Sequence, residues 1–274
     1  MCIPIRIIVM KFSLLVFLLI ASPLALSGPL EEAIAGDHRV DKNTARDVDR
    51  HPFETLSFFG VEPTHTVVEI SPGGSGWYTA ILAPLVREKG KLYAAHYDPE
   101  ATYKYFQNSL SAFKTKMAGN PEVYNKVELT VMQPPTKLEI APDQSADRIL
   151  TFRNVHNWLK NGGADEAMKA FYIALKPGGI LGIVDHRAKP GTGLEEMNES
   201  GYLTEEITVA LAEAAGFKLL AKSEVNANPK DSADYPKGVW TLPPSLRLGD
   251  KNRAEYLAIG ESDRMTLKFV KPII

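Results

Sequence analysis

The sequence predicts an α/β fold with a seven-stranded, mostly parallel sheet, an antiparallel last strand and helices on both faces. From residue 61 onward, short β-branched runs alternate with longer helical patterns, the order typical of parallel strands joined by crossover helices. A glycine-rich turn follows the first of these runs, and a long irregular stretch precedes the last one. A strand that arrives without a crossover helix can pair antiparallel, as an edge feature of a parallel sheet.

The first 27 residues are predicted to be a signal peptide. Arg6 and Lys11 give a weakly basic start, and residues 12–20 are almost wholly apolar. Ala25 and Ser27 then offer small side chains at the two positions that a signal peptidase reads. The alternative is an inner-membrane anchor, because the apolar stretch is nearly long enough to span a bilayer. Cleavage is the interpretation that we prefer, and it predicts an exported, periplasmic protein with no stable membrane insertion.

The composition argues against several classes of partner. The 274 residues carry 31 basic and 33 acidic side chains, so no basic excess points to nucleic acid.

The only cysteine, Cys2, falls in the predicted signal peptide, so the mature chain would have no disulfide and no cysteine nucleophile. The histidines lack a metal-binding spacing such as His-x-x-x-His, and no metal site is predicted. The sequence carries no signal for an oligomeric state.

The chain is predicted to divide into an N-terminal helical lid segment, residues 28–60, and a main domain, residues 61–274. In the lid segment, helical patterns cover residues 30–35 and 44–59. The predicted strands of the main domain are Thr66–Ile70, Lys91–Ala95, Lys126–Met132, Asp147–Phe152, Ile180–Asp185, Phe217–Ser223 and Met265–Val270. The predicted helices are about Tyr78–Glu88, Pro99–Met117, Asp165–Leu175 and Thr204–Ala215. Residues 225–263 are predicted to be an irregular loop insertion.

Residues 67–76, which read Val-Val-Glu-Ile-Ser-Pro-Gly-Gly-Ser-Gly, are the most informative stretch of the chain. Glycines after a strand allow the backbone to approach a nucleotide-like cofactor without intervening Cβ atoms. Glu69 is an acid at the end of a buried strand, a costly position without a hydrogen-bond donor. The spacing of pyrophosphate sites is not met, because Thr79 stands where a third glycine is expected. The stretch therefore favours a cofactor without phosphates, and an ordinary strand-to-helix turn is the alternative.

A second cluster, residues 152–158, follows the fourth strand. Asn154 can donate and accept hydrogen bonds, His156 titrates near neutral pH, and Trp158 offers an aromatic face. Ligands of open α/β sheets bind beyond the carboxyl ends of the strands, so the cluster predicts a site. The alternative is that Asn154 and Asn157 cap the next helix and that Trp158 belongs to the core.

A third cluster, Asp185-His186-Arg187, ends the fifth strand. A carboxylate next to an imidazole can orient a base, so Asp185 and His186 are candidate catalytic residues. The alternative is a surface ion pair between Asp185 and Arg187.

The chain resembles the class I S-adenosylmethionine (SAM)-dependent methyltransferases from about Val61 to the C-terminus. The resemblance is carried, in order, by residues 67–76, 90–93, 146–150, 175–181 and 211–217. It is similar in particular to a group of exported bacterial predicted methyltransferases. That closer similarity also takes in residues 50–52, 152–158 and 263–269.

The resemblance implies a Rossmann-like fold, SAM as the cofactor and a defined set of cofactor-binding residues: Glu69, Ser71, Gly73, Gly74, His96 and Asp98. Glu69 and the two glycines would line the methionine end of SAM. Ser71 stands at the usual first glycine, in a loop one residue longer than the common form. The acid that grips the ribose hydroxyls falls on His96, and a carboxylate follows two residues later at Asp98, which could serve if the turn shifts.

The predicted function is transfer of the SAM methyl group to a small or medium-sized acceptor, with catalytic residues from the last two clusters: Asn154, His156, Asp185 and His186. His156 or His186 would be the base, and the loop at 225–263 would close over the acceptor. One alternative is a non-catalytic envelope protein of the same fold that binds another metabolite, which the departures at Ser71 and His96 would fit. A nicotinamide oxidoreductase is disfavoured by the missing third glycine.

Overall fold

The computed structural model describes Met1 and residues 28–273. The predicted signal peptide and Cys2 lie outside the described residues. Among the helices of the described part of the chain, none has the length and apolar character needed to cross a membrane.

Seven strands form one sheet: β1 (Thr66–Ile70), β2 (Lys91–His96), β3 (Val127–Val131), β4 (Ala146–Phe152), β5 (Leu175–His186), β6 (Lys218–Ser223) and β7 (Arg264–Val270). The strand order is β3-β2-β1-β4-β5-β7-β6. Neighbours from β3 to β5 pair parallel, and β7 pairs antiparallel with both β5 and β6. The predicted Rossmann-like sheet, with seven mostly parallel strands and an antiparallel last strand, is therefore confirmed.

The expected edge position of the last strand is wrong. Strand β7 lies inside the sheet, between β5 and β6, and β6 forms the edge. The burial of the two strands explains the order. In β7, Leu267 and Phe269 are completely buried, whereas β6 alternates exposed and half-buried residues and exposes Lys218. An apolar strand is best covered by a neighbour on each side, and charged side chains suit an edge.

Twelve helices are described: α1 (Pro29–Ala35), α2 (Asp41–Thr44), α3 (Asp47–Arg50), α4 (Pro52–Phe58), α5 (Thr79–Val86), α6 (Lys104–Gly119), α7 (Pro121–Tyr124), α8 (Val155–Lys160), α9 (Ala164–Ala174), α10 (Leu194–Ser200), α11 (Glu205–Ala214) and α12 (Arg253–Ile259). They cover both faces of the sheet, as predicted. Successive strand residues point to opposite faces, so Val68 packs in one apolar cluster with α9 and Val67 packs in another with α5.

Several elements differ from the prediction: β5 begins at Leu175 and not at Ile180, and α7, α8 and α10 were not predicted. The stretch 225–263, predicted to be irregular, contains α12 and a short 3₁₀ turn, Gly238–Thr241. Helix α12 escapes pattern recognition because Tyr256 is its only buried residue. The N-terminal helices form as predicted, and Leu56 of α4 joins the same apolar cluster as Val67. The segment 28–60 is thus packed onto the main domain, and its movement as a lid stays a prediction.

Candidate active site

A cavity of about 1430 Å³ opens at the carboxyl ends of the parallel strands. Its wall includes residues that follow β1, β2, β3 and β4, and His186 at the end of β5. Parts of the segments 28–60 and 225–263 complete the wall. The cavity therefore lies where open α/β sheets bind their ligands, the place that the sequence clusters predict.

The glycine bend after β1 leaves the cavity free of side chains at one point. Gly73 has a left-handed φ of +69°, and a Cβ atom there would meet no heavy atom within 4 Å. A Cβ at Gly74 would instead lie 3.1 Å from Cβ of Ala112, on α6. The first glycine is thus required by the backbone conformation and faces open space, while the second allows α6 to pack closely.

Glu69 lies at the end of β1, is 2% exposed and borders the cavity. The hydroxyl of Thr79 donates a hydrogen bond of 2.6 Å to its Oε2. Burial raises the pKa of Glu69 to about 7, although this hydrogen bond and the charge of Lys116 act in the opposite direction. Thr79, which breaks the pyrophosphate glycine pattern, therefore supplies the donor that a buried acid requires.

Two non-glycine residues of the cavity wall, Ser71 and Arg153, have left-handed backbones, with φ of +48° and +63°. Such angles are uncommon for residues with a side chain. The Ser71 hydroxyl is also buried without a hydrogen-bond partner among the described residues. Strained backbones and unpartnered polar groups gather at functional sites, and here both border one cavity.

His96 and Asp98 are not among the residues that line the cavity, and their predicted role in cofactor binding stays a prediction. His96 is completely buried, its Nδ1 accepts a 2.8 Å hydrogen bond from the Tyr97 amide, and burial lowers its pKa to about 4. The Asp98 carboxylate lies 2.6 Å from Nζ of Lys137 and accepts a hydrogen bond from the Glu100 amide. A ribose contact from Asp98 would require the turn to shift, and it stays a prediction.

An aromatic wall borders the cavity beyond β2, made of Tyr97, Tyr103, Tyr105 and Phe106. The rings of Tyr97 and Phe106 have centroids 4.2 Å apart. Flat aromatic faces bind planar ring systems by stacking. The wall was not predicted, although its four aromatic residues lie within ten positions of the sequence and could have indicated it.

His156 and Asp185 form a hydrogen-bonded pair. The distance between His156 Nδ1 and Asp185 Oδ1 is 2.8 Å. Asp185 is completely buried and also accepts hydrogen bonds from the amides of Val155 and His186, each 2.8 Å long. These hydrogen bonds fix the carboxylate of Asp185 beside Nδ1 of His156. The His156 side chain also borders the cavity. The structure brings together a pair that is 29 residues apart in the sequence.

The partner predicted for Asp185 is different from the one observed. The sequence placed Asp185 beside His186, with a surface ion pair to Arg187 as the alternative. That alternative is wrong, because Arg187 pairs with Glu205, Glu224 and Asp263. The two side chains have different hydrogen-bond partners: Asp185 Oδ1 contacts Nδ1 of His156, and Nδ1 of His186 contacts the Ser262 hydroxyl.

His186 also borders the cavity, with its ring centroid 5.1 Å from that of His156. Its Nδ1 lies 2.5 Å from the Ser262 hydroxyl oxygen. Burial, together with the nearby charges of His156 and several arginines, lowers the pKa of His186 well below its usual value. His186 is therefore a neutral hydrogen-bonding group.

A possible metal-ligand grouping occurs here that the histidine spacing did not predict. Ligand atoms of His156, Asp185 and His186 lie within 4.8 Å of one another. Both oxygens of Asp185 already accept backbone hydrogen bonds. The observed contacts are therefore those of an oriented histidine–carboxylate pair.

The second cluster, residues 152–158, was interpreted as a ligand site or, alternatively, as helix caps and core, and it has features of both. Helix α8 begins directly after Asn154, but the side chain of Asn154 makes no cap hydrogen bond. Its Nδ2 instead donates to the Ile70 carbonyl at 3.1 Å and to the Thr151 hydroxyl at 3.2 Å, tying the end of β4 to the end of β1. Trp158 packs in the core, as the alternative held, and its remaining surface borders the cavity.

An arginine cluster, missed by the sequence analysis, converges on Glu261; its members are Arg46, Arg50, Arg153 and Arg264. The shortest Glu261 contacts are 2.5 Å to Arg46 Nη2, 3.1 Å to Arg264 Nη1 and 3.2 Å to Arg50 Nε. Burial by itself would raise the pKa of Glu261, but the cluster lowers it to about 2. Three of the four arginines lie in segments 50–52, 152–158 and 263–269, which carry the closer resemblance.

The long segment 225–263 contributes Tyr235 and Trp240 to the cavity wall. Asn226 and Asn228 have structural roles instead. Asn226 is buried and donates to the hydroxyl of Thr55, and Asn228 donates to two backbone carbonyls of the same segment. These hydrogen bonds hold the segment against the domain while its aromatic residues face the cavity.

No protein-family model and no curated protein matches the chain. Several solved structures share its fold. A SAM-dependent methyltransferase from Aquifex aeolicus is 20% identical over 69% of this chain and 94% of that chain, with a TM-score of 0.51. Phosphoethanolamine N-methyltransferase 2 from Haemonchus contortus, in complex with SAM, is 15% identical over 91% and 61% of the two chains, with a TM-score of 0.54.

The [4+2]-cyclase SpnF is 14% identical over 88% of this chain and 86% of that chain, with a TM-score of 0.57. A cyclase and methyltransferases thus share one architecture. Identities this low establish the fold, and the reaction has to be argued from the cavity itself.

Proposed function

We propose that this chain, whose fold is that of the class I SAM-dependent methyltransferases, binds SAM in the cavity and transfers its methyl group to a small or medium-sized acceptor. The observation that carries the proposal is the open bend at Gly73. The backbone there meets a cavity of about 1430 Å³ with no side chain in between. A bend of this kind lets a nucleoside-containing cofactor approach the main chain.

The cavity offers distinct surfaces to the two ends of the cofactor. Glu69, with Gly73, suits the methionine end, where a buried carboxylate can receive an ammonium group. The aromatic wall suits the adenine ring by stacking. Ser71, whose hydroxyl has no hydrogen-bond partner within residues 28–273, is available for a hydrogen bond to the cofactor.

SAM supplies a methyl group already activated by its sulfonium. The chain has to align the acceptor with that methyl group and exclude water, which lowers the entropic part of the barrier. His156 is the base of the proposal if the acceptor must lose a proton. Asp185 holds its Nδ1–H, so the lone pair of Nε2 is left to accept a proton. The low pKa of His186 makes it the weaker candidate, and its role is to hydrogen-bond.

The proposed location is the bacterial envelope, reached by cleavage of residues 1–27. N-terminal sequencing of the protein from a periplasmic fraction should find a chain that starts near Ser27 or Gly28. An intact Met1 terminus in the membrane fraction would favour the anchored form instead.

Isothermal titration with SAM and with S-adenosylhomocysteine (SAH) tests the proposed cofactor. We expect micromolar affinity for the wild type and a large loss for Glu69→Ala. Glu62→Ala, which removes an exposed acid outside the cavity, is the matched control. A folded wild type that binds neither compound would overturn the proposal and favour the envelope metabolite-binding protein. If the wild type binds SAM, a screen of envelope extracts with a labelled methyl donor would identify its acceptor.

A further inference from the structure

The arginine cluster carries more positive charge than its surroundings neutralise. Among the described residues, Glu261 is the one carboxylate that forms an ion pair with any of its four guanidinium groups. Arg50 and Arg264 are buried, and the Arg46 and Arg153 side chains are 22% and 26% exposed. Charges withdrawn from water are costly unless they are paired, and one carboxylate balances one of the four positive charges. A site of this kind is incomplete without an anion.

Two of the arginines have hydrogen-bonding groups to spare. Arg50 is 1% exposed, borders the cavity, and its Nη2 has no hydrogen-bond partner in the described part of the chain. The guanidinium of Arg153 also borders the cavity. Its one ion pair among the described residues is a long one, 3.9 Å to Glu261. Both groups are therefore free to bind a ligand through paired N–H donors.

The cluster is held in place by contacts that leave these donors free. The Arg50 guanidinium lies over the ring of Trp77, 4.7 Å from the centroid. Arg264 donates to the carbonyl of Ser262 at 3.2 Å and also to the carbonyl of Asp49. Arg153 is presented from its left-handed backbone at the end of β4. Guanidinium groups fixed in this way bind carboxylate or phosphate oxygens in pairs.

We propose that the methyl acceptor carries a carboxylate or phosphate group and that Arg50 and Arg153 of the arginine cluster bind it. The identification of the bound anion as part of the methyl acceptor rests on the proposed function. The anion site itself does not. SAM carries a net positive charge, so a cationic cofactor alone would leave the excess charge of the cluster uncompensated. An anionic acceptor would supply the missing counter-charge and be oriented by it, with its other end directed along the cavity.

Thermal unfolding of the protein in inorganic phosphate, compared with chloride at the same ionic strength, tests the anion site. A ligand that binds only the folded state stabilises it by RT ln(1 + [L]/Kd), so the melting temperature rises with the ligand concentration and with the affinity. We expect phosphate to raise it in the wild type. Phosphate that stabilises no better than chloride would overturn the proposal.

The variant Arg153→Gln separates a ligand-binding role from a structural one. Arg153 makes one long ion pair and adds to the repulsion within the cluster, so the ligand-free variant should melt at the same temperature as the wild type or higher. Phosphate affinity should fall at least tenfold. Arg148→Gln is the control, because Arg148 binds backbone carbonyls outside the cavity.

The carboxylate of the cofactor is the other possible source of the anion, and titration of Arg153→Gln with SAH and with 5′-methylthioadenosine distinguishes the two. The second compound lacks the amino acid part. If the cluster serves the acceptor, both affinities should stay within threefold of the wild-type values. A tenfold loss confined to SAH would overturn the proposal and assign the cluster to the cofactor.

Different results would overturn the proposed function and the proposed anion site. Absence of SAH binding would overturn the methyltransferase function while leaving the phosphate effect intact. Loss of the phosphate effect with SAH binding intact would overturn the anion site alone.

Discussion

The two ends of the cavity are built in different ways. The end beyond β1 and β2 consists of the glycine bend, Glu69 and the aromatic wall, and these residues lie within positions 69–106. The other end combines the His156–Asp185 pair with the arginine cluster, whose contacts to Glu261 join residues up to 215 positions apart. The first end offers an open backbone and flat aromatic surfaces, and the second offers charged groups held by ion pairs.

This difference suggests a division of labour. Stacking surfaces and an open backbone recognise a nucleoside without regard to the rest of the reaction. Charged groups held in fixed positions orient a second molecule and move a proton. Four substitutions test this division of labour.

The largest effect is expected at the charged end, from His156→Ala. Loss of a positioned base lowers turnover by about 10²- to 10⁴-fold, while SAH affinity should change little. Initial rates of labelled methyl transfer and a parallel SAH titration measure the two quantities. His65→Ala is the control, because His65 is a partly buried histidine outside the cavity. Unchanged turnover of His156→Ala would contradict the role of His156 as the base.

At the other end, Gly73→Val should weaken SAH binding at least about tenfold. A left-handed backbone costs roughly 1–2 kcal/mol for a residue with a Cβ atom, and the new side chain would enter the space reserved for the cofactor. Gly191→Val is a matched control, since Gly191 has a φ of +83° and equally open surroundings but does not line the cavity. Isothermal titration compares them. Equal losses for the two variants would show that strain, and not the cavity, is responsible.

Glu69→Gln should change how the stability of the ligand-free protein depends on pH. Burial raises the pKa of Glu69 from 4.5 to about 7, so the folded state holds a proton that the unfolded state loses between these values. Stability contributed by this group is therefore present below about pH 4.5 and lost as the pH rises through 7. Relative to the wild type, the variant should gain stability with rising pH, up to about 3 kcal/mol.

Urea unfolding at a series of pH values measures this gain. Glu122→Gln, at an exposed acid, should leave the wild-type pH profile unchanged. A Glu69→Gln profile parallel to that of the wild type would show that the Glu69 carboxyl titrates normally.

The smallest effect is expected from Asp98→Ala. Asp98 is paired with Lys137, whose side chain is 44% exposed, and it does not line the cavity. Loss of this ion pair should therefore change SAH affinity by less than about threefold. Glu100→Ala, which also removes a partner of Lys137, is the control. A tenfold loss for Asp98→Ala alone would mean that the turn shifts on binding and that Asp98 grips the ribose.

The sequence by itself determined the order of strands and helices and the glycine bend. Strand β1 has the predicted bounds, Thr66–Ile70, and the bend follows it as predicted. These features are local: alternation of apolar runs, glycine spacing and helix-ending residues act within a few positions of the chain. Local signals also indicated which strand ends carry polar residues, so the position of the cavity could be predicted.

Only the tertiary structure decided which of these residues meet. It paired Asp185 with His156 and not with its neighbour His186, placed β7 inside the sheet, and left His96 and Asp98 out of the cavity wall. It also gathered four arginines around Glu261. Sheet order and side-chain direction depend on packing between segments that are far apart in the chain, and no spacing rule within one sequence encodes that packing.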